Sequence, residues 1–204
     1  MTTTVDRVWK VGRYTLAPAT RAITRLRVHG VENIPREGPV VLAMNHFSWI
    51  DPAAFGAACP RTMYFLAKVE AHRVPGLGHL IRAFGTISVR RGESDREAVR
   101  LMRQALRDGN VLGLFVEGTR QRGGVPGPVQ PGAAMAAIQE SAPVVCGAIY
   151  GSHEWRLWNF RRCEIRWGEP MQLDDLAKNA KGYREGSARI EAEIRRLWEG
   201  LRSR

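Results

Sequence analysis

A chain of 204 residues with 44% hydrophobic and 25% charged side chains has room for one ordinary core and is neither disordered nor fibrous. Its 31 cationic residues against 20 acidic ones leave a net charge of +11, which favours an anionic partner: nucleic acid, an anionic lipid surface or a phosphorylated substrate. Cys59, Cys146 and Cys163 form no CxxC or Cys/His zinc pattern, and no apolar run approaches the ~18 residues of a membrane span, so a reducing compartment and at most peripheral membrane contact are expected.

Residues 1–28 carry Arg7, Lys10, Arg13, Arg21, Arg25 and Arg27 against the single acid Asp6, with Val5, Val8, Trp9, Gly12 and Leu16 and then Ile23 and Leu26 at near-helical spacing. The pattern predicts two short basic amphipathic helices broken at Ala17-Pro18. They either lie on an anionic membrane surface with Trp9 at headgroup level or simply cover the core. His29 to Pro35 reads as a turn, and Val40 to Met44 as the first strand. A helix follows Asp51-Pro52, with proline in the first turn where its missing N–H is harmless. Met63 to Ala67 and Thr86 to Val89 predict further strands, and Ser94-x-x-Glu97 is a capping box opening a helix that stops near Asp108-Gly109. Val111 to Val116 is apolar throughout, as in a strand buried on both faces. Pro131 opens a small-residue helix from Gly132 to Glu140, and Val144 to Ile149 is another buried strand. Cys163 to Trp167 alternates like an edge or half-exposed strand, and Ile190, Ile194, Leu197 and Leu201 mark a final amphipathic helix. Strands alternating with helices imply an α/β fold: a three-layer domain with a mostly parallel central sheet flanked by helices, preceded by the basic helical segment. In such sheets sites form at the carboxyl ends of strands.

The polar words of the sequence fall there. His46 follows the strand 40–44, with Asn45 before it and Asp51 five positions on. An imidazole accepts a proton near neutral pH, and a carboxylate on its other nitrogen fixes the tautomer. The same residues also read as a strand-end histidine beside an independent helix N-cap. Glu117-Gly118-Thr119-Arg120 follows a second strand: Gly118 permits a sharp turn, Thr119 and Arg120 offer a hydroxyl and a guanidinium fork suited to phosphate, and Glu117 either anchors that fork or meets a substrate hydroxyl. The bland reading is a surface loop with Glu and Arg paired. Arg90 and Arg91 end a third strand, and Lys68 ends another, as added cations or as solvated ones. No G-x-S-x-G elbow, nucleotide-binding glycine motif or P-loop is present.

Taken in order, NH-x4-D (Asn45 to Asp51), G-x4-RR (Gly85 to Arg91), F-x-EGTR (Phe115 to Arg120) and the apolar Pro143-Val144-Val145 resemble the four blocks of the glycerophosphate acyltransferase family, most closely its bacterial 1-acyl-sn-glycerol-3-phosphate (lysophosphatidic acid) acyltransferases. Ser88, Val116 and Cys146 stand where aromatic or proline residues are usual. The resemblance implies an acyltransferase domain over 29–204 and His46 as a general base oriented by Asp51. Asn45, Arg91, Glu117, Gly118, Thr119 and Arg120 would bind the acceptor, with neither a metal nor an acyl-enzyme. It further implies an acyl-CoA or acyl carrier protein thioester as co-substrate and no other cofactor. The acceptor would be 1-acyl-glycerol-3-phosphate, giving phosphatidic acid, or another lysolipid such as a lyso-ornithine lipid, and the place of work the cytoplasmic face of an anionic membrane. The reading from a different class is a basic nucleic-acid-binding domain, which would need aromatics interleaved with the cations.

Overall fold

The computed structural model describes residues 2–89 and 96–203. In chain order these form α1 (Thr2–Tyr14), α2 (Leu16–Thr24), β1 (Arg27–His29), a 3-10 turn at Val31–Asn33, β2 (Val40–Met44), α3 (Asp51–Ala58), β3 (Met63–Lys68), α4 (Val69–Arg73) and α5 (Leu77–Ala83). There follow β4 (Ile87–Val89), α6 (Arg96–Arg107), β5 (Val111–Phe115), α7 (Gly132–Glu140), β6 (Val144–Tyr150), β7 (Glu164–Met171) and α8 (Ala180–Arg202).

The strands make one seven-stranded sheet in the order β1-β7-β6-β2-β5-β3-β4, parallel throughout except for the antiparallel β6–β7 pair. All five residues of β2 are fully buried, as are Val144 to Ile149 of β6, which accounts for their unbroken apolar runs. The chain moves outward from β2 to β3 to β4 and then returns over the sheet to β5 and β6. Right-handed crossovers therefore place α3, α4 and α5 on one face and α6 and α7 on the other, giving three layers. Helix α8 completes the second face with Ile190, Ile194, Leu197 and Leu201 buried, and it approaches α7 closely at Gly186, where an added Cβ would lie 3.0 Å from the Ala134 methyl. Its N-cap is Asn179, whose side chain accepts from the N–H groups of Lys181 and Gly182.

Four expectations change. The break in the N-terminal helical segment lies at Thr15 rather than at Ala17-Pro18; Thr15 N–H and Oγ1 both donate to Val11 O, and Pro18 sits in the first turn of α2, where no donor is required. The helices end at Thr24, because Arg27–His29 pairs with β7 as a strand. That pairing places β7 inside the sheet, so of the two readings of its alternation the half-exposed strand holds and the edge strand does not; the edges are β1 and β4, three residues each, short enough to limit edge pairing. Trp9 is not at a membrane surface: it is buried, its indole donates to Phe84 O at 3.1 Å, and its ring meets Phe84 edge-on and Phe65. The exposed large apolar side chains of α1 and α2 are Val11, Tyr14 and Leu16, among exposed cations such as Arg7, Lys10 and Arg13. Ser94 of the capping box and the Arg90-Arg91 pair lie outside the described residues; α6 stops at Arg107, just before Asp108-Gly109, as its sequence predicts.

Candidate active site

Register builds the site. In the pairing of β2 with β5, Met44 lies opposite Phe115, so the residues two beyond each, His46 and Glu117, emerge side by side at the carboxyl edge. Asn45 fixes the exit of β2: its Oδ1 accepts from Ile149 N–H at 2.8 Å and its Nδ2 donates to Ile149 O at 3.1 Å, extending the ladder to β6 through a side chain. With both polar groups engaged and the residue fully buried, Asn45 holds the strand end.

After His46 the chain turns so that Asp51, the first residue of α3, points back. Its Oδ2 accepts from the N–H groups of Phe47 at 2.6 Å and Ser48 at 2.7 Å and lies 2.9 Å from His46 Nδ1. An oxygen already accepting two backbone bonds acts as an acceptor, so Nδ1 carries the proton and the lone pair lies on Nε2. That nitrogen has no hydrogen-bond partner among the described residues. Asp51 is completely buried at the start of a helix, where the peptide dipoles favour a carboxylate, and it is not an N-cap: Ile50 is, without a side-chain bond. The imidazole is further fixed by the Phe115 ring, stacked 4.2 Å away between centroids.

Glu117 does not pair with Arg120. Its Oε2 accepts from His46 N–H at 2.7 Å and its Oε1 from Gly127 N–H at 2.8 Å, tying the two strand-end loops and the return of the 117–130 segment together. Burial pushes its carboxyl up from 4.5 to about 7, while the backbone donors of Gly127 and His46 oppose the rise. Gly118 has φ +72 and its N–H donates to Phe115 O, making the sharp turn that Cβ-bearing residues resist. Gln121 N–H then donates to His46 O at 2.8 Å, and Gln130 N–H to Val116 O. Thr119 and Arg120 are left exposed beside this turn, and Lys68 is exposed at the end of β3. Arg91 lies outside the described residues. Gln121 and Gly127 did not stand out in the sequence, and Phe115 did so only as the first residue of the F-x-EGTR block, without its stacking role.

Beside the histidine is a cavity of about 450 Å³ with an almost wholly apolar wall, formed by α1 and α2 on one side and by α3, β3 and α5 on the other. Trp9, Leu16, Phe65, Leu80 and Phe84 line it, and Phe115 belongs both to this wall and to the stack on His46. The His46 imidazole and the apolar cavity thus share one aromatic ring. The three thiols are poor nucleophiles: all are buried, and burial raises Cys59 to about 11, Cys163 to about 12 and Cys146 further still. No described helix is long and apolar enough to cross a membrane.

The family model described as Acyltransferase matches residues 25–150. The 1-acyl-sn-glycerol-3-phosphate acyltransferase of Bacillus subtilis is 27% identical over 167 residues, 79% of this chain and 83% of that protein. The lyso-ornithine lipid O-acyltransferase of Pseudomonas aeruginosa is 37% identical over 117 residues, 56% of this chain; the chain spans 43% of that relative's length. Among solved structures, the crystal structure of the 1-acyl-sn-glycerophosphate acyltransferase PlsC from Thermotoga maritima superposes with a TM-score of 0.76, covering 98% of this chain and 80% of that one at 23% identity, which speaks to the fold.

Proposed function

The chain belongs to the Acyltransferase family and is an enzyme that acylates glycerophosphates or related lysolipids, and we propose that it transfers a fatty acyl group from acyl-CoA or acyl carrier protein to the free hydroxyl of 1-acyl-glycerol-3-phosphate, yielding phosphatidic acid. The observation that carries this is the His46–Asp51 pair, with Nε2 unpartnered among the described residues and the ring stacked on a residue of the apolar cavity. Nε2 takes the acceptor's hydroxyl proton as the oxygen attacks the thioester carbonyl, and Asp51 stabilises the imidazolium so formed. The tetrahedral intermediate collapses with cleavage of the C–S bond, and the imidazolium returns its proton to the departing thiolate. The products are an ester and a free thiol, with no covalent enzyme intermediate.

The cavity accepts an acyl chain, and Thr119 and Arg120, exposed at the turn held by Gly118, bind the acceptor's phosphate, while Glu117 acts by bracing His46. The enzyme works as a peripheral protein at the cytoplasmic face of the membrane, its cations facing anionic headgroups. A lyso-ornithine acceptor is the second reading, favoured by the 37% identity to the Pseudomonas aeruginosa relative.

The test is transfer from labelled acyl-CoA across a panel of lysolipids. His46→Ala is expected to lower turnover by at least ~10²–10⁴ while leaving the melting transition in place; substantial residual turnover sinks the base assignment. Arg120→Ala is expected to raise KM for a phosphorylated acceptor selectively. An unchanged KM there, with better turnover on the lyso-ornithine lipid, decides for the second reading.

A further inference from the structure

The connection from β6 to β7 is built and yet presents apolar side chains to water. Leu157 is 58%, Trp158 81% and Phe160 49% exposed, and Trp158 is the most exposed of the large apolar side chains described. This is not a loose segment. Trp155 beneath it is buried, donates from its indole to Ile23 O at 3.0 Å and meets the Trp49 ring. Asn159 Oδ1 accepts from the N–H groups of Arg156 and Arg161, while its Nδ2 donates to Glu154 O. Phe160 has φ +45, a conformation disfavoured for a bulky side chain, and no burial of its ring offsets that cost.

Charge surrounds the apolar tip. Arg156, Arg161 and Arg162 belong to the loop, and Arg25 and Arg27 are brought to its base, where Cys163 N–H donates to Thr24 O and Arg27 N–H to Cys163 O. Against these five arginines stand Glu154, paired with Arg161, and Glu164, beside His29. The loop also leaves the sheet at the catalytic edge: β6 is flush with β2 through Asn45 and Ile149, and the His153 ring at the foot of the loop packs on Phe47, next to His46.

We propose that residues 155–162 are a membrane-insertion element separate from the N-terminal helices. Leu157, Trp158 and Phe160 enter the headgroup–acyl boundary of an anionic bilayer while the arginines behind them meet its phosphates. Apolar tip plus cationic collar fits a lipid surface better than an acidic protein, which the arginines alone would serve. This rests on the reading that the acceptor is a bilayer lipid, since insertion here brings the carboxyl edge of the sheet, with His46, against the membrane.

The test places an environment-sensitive fluorophore on Trp158→Cys, which is selective because the three native cysteines are buried. The label is carried in both the active chain and His46→Ala. Adding vesicles of phosphatidylcholine containing phosphatidylglycerol is expected to blue-shift the label equally in both, so the readout does not depend on turnover. The combined variant Leu157→Ser, Trp158→Ser, Phe160→Asn, with asparagine suited to the left-handed backbone, is expected to partition onto those vesicles about ten- to a hundredfold less. It should keep wild-type transfer to a short-chain acceptor dissolved as monomers. The proposal is overturned if the label does not respond to vesicles, if it shifts with protein concentration alone, which would mean a second copy, or if it responds only to acyl carrier protein. A wild-type chain that acylates no lysolipid defeats the functional reading, and the label still reports on the loop.

Discussion

At the residue scale the site depends on carboxylates that do unlike jobs. Asp51 is buried, accepts two backbone bonds and takes the third from His46 Nδ1. Asp51→Asn can keep one oxygen facing Phe47, Ser48 and His46 Nδ1, since all three bonds fall on Oδ2, but it removes the charge that stabilises the imidazolium. Turnover is expected to drop by ~10²–10⁴ with little change in acceptor KM, whereas loss of binding with kcat preserved would refute the orienting role. Glu117 serves as a brace, and its carboxyl, raised from 4.5 to about 7, ties pH to stability. Between those values the folded chain holds a proton that the unfolded chain has released, so stability from this residue falls as pH rises through the window, by roughly 3 kcal/mol at most. Denaturant midpoints at pH 5 and pH 8 are expected to differ more in wild type than in Glu117→Gln, whose baseline is lower because an amide cannot accept from both His46 and Gly127. Equal pH slopes in the two proteins would show that the buried carboxyl does not titrate there. Neither brace contact was legible in the sequence: Glu117 reaches 71 positions back to His46, and spacing within a motif carries no trace of a bond made by strand register.

At the scale of elements, α1 and α2 form one wall of the apolar cavity; α2 packs along α3, whereas α1 touches little beyond α2 and α5. Trp9 contributes most, by its hydrogen bond to Phe84 O and two ring contacts, and Arg21 adds a bond to Ala57 O at 2.7 Å. Removing a buried tryptophan side chain typically costs ~3–5 kcal/mol, enough to release an element that makes few other contacts. Trp9→Ala is therefore expected to raise amide exchange across α1 by at least tenfold while β2, β5 and β6 keep their protection; uniform loss of protection would show the hairpin to be part of the cooperative core. The helices themselves were legible from their spacing, as were β2, β5 and β6, because strands buried on both faces must be apolar at every position. The inward aim of Trp9 was not, since an apolar stripe looks the same whether a bilayer or the protein covers it. Strand β1, Arg-Val-His, has no pattern of its own and exists through its pairing with β7, and α4 and α5 are too short to show a period.

At the scale of the whole molecule, the sheet direction and the charge point the same way. Parallel β2, β3, β4 and β5 all end at one edge, and His46, Lys68, Glu117 and Arg120 follow from those ends. The net charge of +11 is far more than the site needs, and several of its arginines are matched locally, as Arg107 is by Glu140 and Arg189 by Asp175. What remains acts at a distance and is open to screening, while apolar insertion is not. Binding to anionic vesicles is therefore expected to weaken by at least about tenfold as ionic strength rises from roughly 0.05 to 0.5 M, where the Debye length falls well below 10 Å. It is then expected to level off at a residual affinity set by exposed Val11, Tyr14, Leu16, Leu157 and Trp158. Vesicle sedimentation over a salt series separates the two contributions. A flat response assigns binding to apolar contact alone, complete loss at high salt assigns it to charge alone, and a fall to a plateau is the signature of a basic protein that also wets its apolar edge in the bilayer.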